Sequence, residues 1–271
     1  MRIGIIGGGE IARLFLEHGA RGGLGDARVV AIAGRDERSR GKALAAKHGV
    51  PFVIGLAGLR AAAPDVVIEA ASHDAVLEYG LPLLESGVAF IVLSAGALCD
   101  DDVRARMERG AAQSKAMLCV PSGGIGGLDA LKAACVAGVD EVEIAVTKPP
   151  RAWKNIAYVE QLGVDLDRLA APATLFEGTA REGVPYFPAN VNIAAVLSMA
   201  GIGFDRTRLK VVADPSLTLN THYITIRGKS GTISLKFESV PFPDNPKTAM
   251  LAAYSALAAF KEFSSCVRYG T

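Results

Sequence analysis

The 271-residue chain lacks an excess of either charge: 29 Lys and Arg stand against 28 Asp and Glu, for a formal net charge of +1. That balance gives no electrostatic basis for wrapping nucleic acid or lying on an anionic membrane, so neither is expected as a partner. Cysteine is scarce. Cys99, Cys119, Cys135 and Cys266 have spacings that fit neither a zinc site nor a redox pair. No metal is expected, and the four read as small buried apolar residues of a reducing compartment. Long hydrophobic runs are missing too, although the mean hydropathy is high at +0.29. The longest apolar stretch, residues 88–99, contains Ser94 and Gly96 and falls short of the roughly 18 residues a membrane span needs. Gly7, Gly8 and Gly9 interrupt the first apolar run, and no small-residue cleavage site follows, which reads against an export signal. The expectation is a cytoplasmic protein. What the chain does have is 50% hydrophobic and 21% charged residues, the composition of a globular protein.

Short apolar runs alternate with helical patterns along the first part of the chain. Residues 1–6, 28–33, 53–54, 66–68, 90–93 and 116–120 read as strands, and 11–18, 39–48, 74–85 and 102–114 as helices. Such alternation implies a parallel sheet with right-handed crossovers. After Pro121 the pattern changes. Residues 141–147, 208–213, 221–227 and 232–238 alternate as strands, the last two joined by the hairpin-like Gly228-Lys229-Ser230-Gly231, and 127–137 and 191–200 read as helices. Asn245-Pro246 reads as an N-cap with proline at the first helical position, opening a helix over 247–266. That helix is apolar enough to bury more than one face. The expected fold is α/β: an N-terminal Rossmann doubly wound parallel sheet over 1–120, and a C-terminal α+β domain with a mixed sheet over 121–244. Residues 245–271 are expected to return as a helix to the Rossmann domain.

Gly7-Gly8-Gly9-Glu10-Ile11-Ala12 matches G-x-G-x-x-G/A between a strand and a helix. Gly7 suits the tight turn, Gly9 the close approach of backbone to a pyrophosphate, and Ala12 close helix packing. The amides around Glu10 and Ile11 at the helix start would then hold phosphates. At the end of the second strand stands Gly34-Arg35-Asp36. Arg35 could pair with the 2′-phosphate of NADP and Asp36 with the 2′-hydroxyl of NAD, or both could be solvated turn residues. Ala71, Ser72 and Ala95 lie at the carboxyl ends of later strands, the edge that lines the ligand crevice in open α/β sheets.

A dehydrogenase also needs a group that moves protons, and the chain has only His18, His48, His73 and His222. His18 and His48 sit near helix ends, and His73 reads as a cap or surface residue. His222, at the start of a strand of the second domain, fits either a proton carrier or a core residue. An unperturbed imidazole titrates near pH ~6.5, which suits the first role. Two substrate carboxylates would need partners, for which Lys148, Arg151, Asn190 and Lys247 are candidates. Trp153, the one tryptophan, reads as packing.

The chain resembles the L-aspartate dehydrogenase family from end to end. The resemblance is carried by the Gly7 loop, residues 71–76 and 94–98, and Pro121-Ser122-Gly123-Gly124-Ile125-Gly126-Gly127-Leu128-Asp129-Ala130-Leu131. It continues through 148–153, 176–181, 188–195, Asn220-Thr221-His222 and Asn245-Pro246-Lys247-Thr248. It implies NAD- or NADP-dependent interconversion of L-aspartate with oxaloacetate and ammonia through iminosuccinate, either degrading aspartate or feeding pyridine-nucleotide synthesis. It further implies that His222 is the active-site residue and that Gly126 and Asn192 contact the cofactor. Members of the family often have Ala in place of Gly124, and some in place of Gly126; backbone contacts would accept glycine at either. A homodimer is expected. Two other readings stand beside it. One is a different Rossmann-type amino-acid, homoserine-like or dihydrodipicolinate-reductase-like enzyme. The other is a non-catalytic NAD(P)-binding redox sensor, which would need no His222.

Overall fold

The computed structural model describes residues 1–242, 245–263, 265–267 and 269–270, with 245–248 described by their backbone alone. The chain divides into two compact units, Met1–Pro121 with Ala253–Cys266, and Ser122–Ala252 with Val267–Thr271.

The first unit alternates strand and helix: β1 (Arg2–Ile6), α1 (Glu10–Ala20), β2 (Arg28–Gly34), α2 (Gly41–Lys47), β3 (Phe52–Ile54), α3 (Gly55–Ala61), β4 (Val66–Glu69), α4 (His73–Glu85), β5 (Ala89–Val92), α5 (Asp101–Ser114) and β6 (Leu118–Cys119). All six strands run parallel, in the order β3-β2-β1-β4-β5-β6. This is the doubly wound Rossmann sheet, with its order reversing between β1 and β4, where such sheets bind ligands. Every residue of β4 and β5 is buried, because helices cover both faces of a parallel sheet. Helix α3 is the element the sequence did not announce. It has seven residues and buries only Leu59, too little for a periodic signal.

The second unit contains α6 (Leu128–Ala137), β7 (Val139–Lys148), α7 (Ala157–Gln161), β8 (Ala173–Thr179), α8 (Ala180–Gly183), α9 (Asn192–Ala200), β9 (Thr207–Ala213), β10 (Asn220–Gly228) and β11 (Gly231–Ser239). Its sheet has the order β11-β10-β7-β9-β8, with β7 and β9 parallel and the other pairs antiparallel. The hairpin closes on Gly228 opposite Gly231. Trp153 is fully buried, its ring edge against Phe187 and its indole N–H donating to the Val212 carbonyl at 3.1 Å.

Two expectations for the C-terminal segment are corrected. Asn245 and Pro246 do not cap a helix. They lie in β13 (Asn245–Ala249), which pairs antiparallel with β12 (Pro241–Phe242), and α10 runs from Met250 to Phe263. Cross-strand pairing gives this backbone its partners, and a two-stranded ribbon tolerates proline at its edge. Helix α10 also buries one stripe rather than several faces: Ala253, Ala256, Leu257 and Phe260 are buried at helical spacing, while Leu251 and Tyr254 stay exposed. Ala256, Leu257 and Phe260 of the stripe join Ile3, Ile5, Phe15 and Ile68 in one core. The Phe15 and Phe260 rings meet edge to face at 6.1 Å, a contact worth about 0.5–1.5 kcal/mol. Among the cysteines, Cys99 is buried but Cys266 is exposed, against the expectation that all four are core residues.

Candidate active site

The first unit presents a loop shaped for a phosphate. Gly7 has φ +102°, and a Cβ there would lie 2.6 Å from the Ala70 carbonyl oxygen; a Cβ on Gly8 would lie 2.2 Å from the Gly41 nitrogen. Both positions therefore demand glycine. Gly9 differs: a Cβ there would meet no atom within 4 Å, so its backbone faces open space. Gly9 caps α1 without a side-chain hydrogen bond to the first-turn amides. A helix of eleven residues opening this way, with free approach to its backbone, fits a dinucleotide pyrophosphate.

The other first-unit candidates fall into distinct settings. The Glu10 side chain accepts from Arg13 Nε at 2.9 Å, and Ile11 packs on the core, so both would meet a cofactor through backbone. Arg35 and Asp36 are exposed on the turn after β2. Asp36 is bound up in that turn. It accepts from the Arg38 N–H at 2.9 Å and the Ser39 hydroxyl at 3.3 Å, and the Arg38 N–H holds its carboxyl below the usual range. Ser72 caps α4 by accepting from the Ala75 N–H, and its own N–H, with that of Ala71, donates to Glu69. Ala95 is fully buried next to Ser94, which also donates to Glu69.

The second unit builds a site from buried polar side chains. His222 is paired across the sheet with Val146 on β7 and Phe237 on β11. Strand alternation puts Val146 and Lys148 on one face with it. Lys148 is buried and donates from Nζ to the Asn190 carbonyl at 3.1 Å and to Asn190 Oδ1 at 3.2 Å. The backbone around Gly126 covers the same face, since a Cβ on Gly126 would lie 3.4 Å from the Phe237 ring. Asn192 opens α9 two residues after Asn190. The structure thus brings together His222, Lys148 and Asn190. Arg151 stands exposed in a short 3-10 helix, Pro150–Trp153, and the side chain of Lys247 lies outside the described residues.

Burial lowers the His222 pKa to about 3, with the Lys148 charge adding to the effect and the Thr221 backbone opposing it. The imidazole is therefore neutral at neutral pH, not poised near the ordinary value. Its Nδ1 has no hydrogen-bond partner, and neither does Asn220 Nδ2 or Thr221 Oγ1, although all three atoms are buried. An unpartnered buried polar atom costs about 1–3 kcal/mol, so the two on Asn220 and His222, which strand alternation puts on one face, mark a place that awaits a polar ligand, while Thr221 points to the other face. Asn220 and Thr221 were visible in the sequence only as neighbours of His222; burial and the missing partners single them out. Glu69 is the other residue the sequence did not flag. Among the described residues, no group of three or more His, Cys, Asp or Glu could hold a metal ion, and no helix is long and apolar enough to cross a membrane.

A Rossmann sheet with a glycine loop open to phosphate defines a dinucleotide-binding protein, and the comparisons narrow the class. The family profile described as "Aspartate dehydrogenase, C-terminal" matches residues 129–263, and that described as "Homoserine dehydrogenase, NAD binding domain" matches residues 3–121. The chain is 39% identical to the L-aspartate dehydrogenase of Methanosarcina acetivorans over 100% of both chains. It is 42% identical to L-aspartate dehydrogenase 2 of Bordetella pertussis over 96% of each. The crystal structure of aspartate dehydrogenase from Thermotoga maritima superposes with a TM-score of 0.75 at 28% identity, covering 100% of this chain and 99% of that one. The chain belongs to the L-aspartate dehydrogenase family. It is an oxidoreductase of amino-acid CH–NH2 groups with a nicotinamide cofactor, which sets aside the sensor reading.

Proposed function

We propose that the chain oxidises L-aspartate at C2 to iminosuccinate, which water converts to oxaloacetate and ammonia, with His222 as the proton carrier. The observation that carries this reading is the pair of unpartnered buried groups on Asn220 and His222, on the same sheet face as the buried Lys148 ammonium. A bound nicotinamide supplies the hydride acceptor. The protein's own residues do the rest. Lys148, with Asn190 fixing its Nζ, holds a substrate carboxylate, and Asn220 Nδ2 offers a further donor. His222, neutral and with a free Nδ1, accepts the proton of the water that adds to the imine and returns it to the departing amine. Burial is the main cause of the low imidazole pKa and the Lys148 charge the second; a dicarboxylate bound at Lys148 offsets that second cause, so substrate itself raises the basicity of His222. Imine that leaves before water adds would be available to pyridine-nucleotide synthesis.

Several site assignments belong to the same proposal. The backbone of Gly7, Gly9, Glu10 and Ile11 holds the pyrophosphate, Ala71, Ser72 and Ala95 border the nicotinamide half, and Gly124, Gly126 and Asn192 are further cofactor contacts. Arg35 admits NADP beside NAD by a forked contact to the 2′-phosphate. Residues 121–244 carry the substrate and the contact of a homodimer. The test is to follow the near-ultraviolet absorbance of the reduced cofactor with L-aspartate or L-homoserine and each oxidised cofactor. Reduction with aspartate is expected. Turnover of homoserine alone would overturn the reading.

A further inference from the structure

Glu69 is fully buried at the end of β4, beside Ile6 at the end of β1 and Val92 at the end of β5. It thus stands at the switch point of the sheet, against the glycine loop. Its carboxylate accepts four hydrogen bonds. Oε1 takes the N–H of Ala71 at 2.7 Å, the N–H of Ser72 at 3.0 Å and the hydroxyl of Ser94 at 2.9 Å, while Oε2 takes the N–H of Ser94 at 2.9 Å. One side chain therefore ties together the loops that follow β4 and β5. Three of the four donors are backbone N–H groups, which can only donate and so call for an acceptor. Burial pushes the Glu69 carboxyl above the usual range, and these same donors pull it back. No cation pairs with it among the described residues.

In an open α/β sheet of this order the adenosine half of a dinucleotide lies on the β2 side of the switch point and the nicotinamide half on the β4 and β5 side. The oxidised nicotinamide ring carries a positive charge and the reduced ring is neutral. We propose that Glu69 is a positioning residue that holds the 70–72 and 94–95 loops around the nicotinamide and, through its buried negative charge, favours the oxidised over the reduced cofactor. The inference rests on the nicotinamide cofactor and not on the choice of aspartate as substrate.

The test measures dissociation constants of the full chain for NAD+ and NADH, and for NADP+ and NADPH, by calorimetry without substrate. Glu69→Gln and Glu69→Ala both remove the charge, one by setting an amide against the Ser94 N–H and the other by leaving a space for water. Each is expected to shift the oxidised-to-reduced preference toward the reduced form by roughly tenfold, the effect of one charge at about 10 Å in a medium of effective dielectric ~20. Ser94→Ala removes one tie and keeps the charge, so it is expected to weaken both forms alike. Equal weakening of both forms in a folded Glu69 variant would reduce Glu69 to a structural tie and overturn the proposal. The carboxyl-carbon NMR shift of Glu69 in the unmodified protein gives an independent reading. An ionised group at neutral pH is expected, and a protonated one overturns the proposal whether or not the variants fold.

Discussion

The two units offer opposite ways of binding a charged ligand. The first uses backbone: a glycine turn, the uncapped amides of α1 and open space in front of Gly9. The second uses buried side chains, an ammonium on Lys148 and an imidazole on His222 that burial and the nearby ammonium keep neutral. A backbone cradle needs only the right φ and the absence of Cβ atoms. It is compact in sequence and insensitive to pH. A buried ionic site depends on residues brought from several strands, and its charge state responds to whatever binds. The first suits a cofactor common to many reactions, the second the chemistry of one substrate.

The sharpest way to break this comparison is His222→Asn. A positioned proton carrier contributes about 10²–10⁴-fold, so turnover should fall by that factor while the dissociation constant for the cofactor stays within twofold, provided that the melting temperature shows a folded variant. A comparable loss of cofactor affinity would mean that the two sites are not separable in function. Next in size is Lys148→Met. Loss of a charged hydrogen bond of about 1.5–3 kcal/mol should raise the KM for aspartate by roughly 10- to 100-fold, measured by initial rates. The same change should raise the His222 pKa, because the second cause of its depression is gone.

The difference between the units also explains what could be read from the residues alone. Gly7 to Ala12 is a contiguous motif whose local backbone fixes its chemistry, and the strand–helix alternation around it led directly to the parallel sheet. In the second unit Lys148, Asn190 and Asn220 are far apart in sequence, and only the register of β7 against β10 makes neighbours of the first and the last. Burial turned Lys148 from a plausible surface charge into a buried cation, and it moved the His222 pKa far from its ordinary value. Neither effect has a local signature. Glu69 hid for the same reason: four donors from two loops converge on it, and a lone glutamate at a strand end announces none of them. Strand β8, with only Leu175 fully buried, and the β12–β13 pair are edge features set by tertiary pairing, which is why a proline-led segment expected to start a helix became a strand.

Two smaller changes sharpen the account on each side. Arg35→Ala should weaken NADP binding by several-fold, as read by calorimetry, with NAD binding unchanged, since a surface guanidinium can discriminate only through the 2′-phosphate. Equal loss of both would leave Arg35 a turn residue. Gly124→Ala should be nearly silent. The added Cβ would lie 3.7 Å from Ala249 Cβ and 3.8 Å from Ile193 Cγ2, ordinary contact distances, so thermal unfolding should change by less than about 0.5 kcal/mol and the rate should be unaffected.

The central claim is that the second unit holds a neutral imidazole whose protonation is governed by the ligand beside it. NMR titration of labelled histidine, with the His222→Asn variant to assign the signal, reads this directly. In the free protein His222 should remain neutral through the range in which an ordinary histidine, with pKa ~6.5, changes charge. Addition of succinate, a dicarboxylate that cannot react, should raise its pKa toward that range while the cofactor alone leaves it unchanged. A His222 that titrates normally in the free protein, or one that does not respond to succinate, would contradict the account.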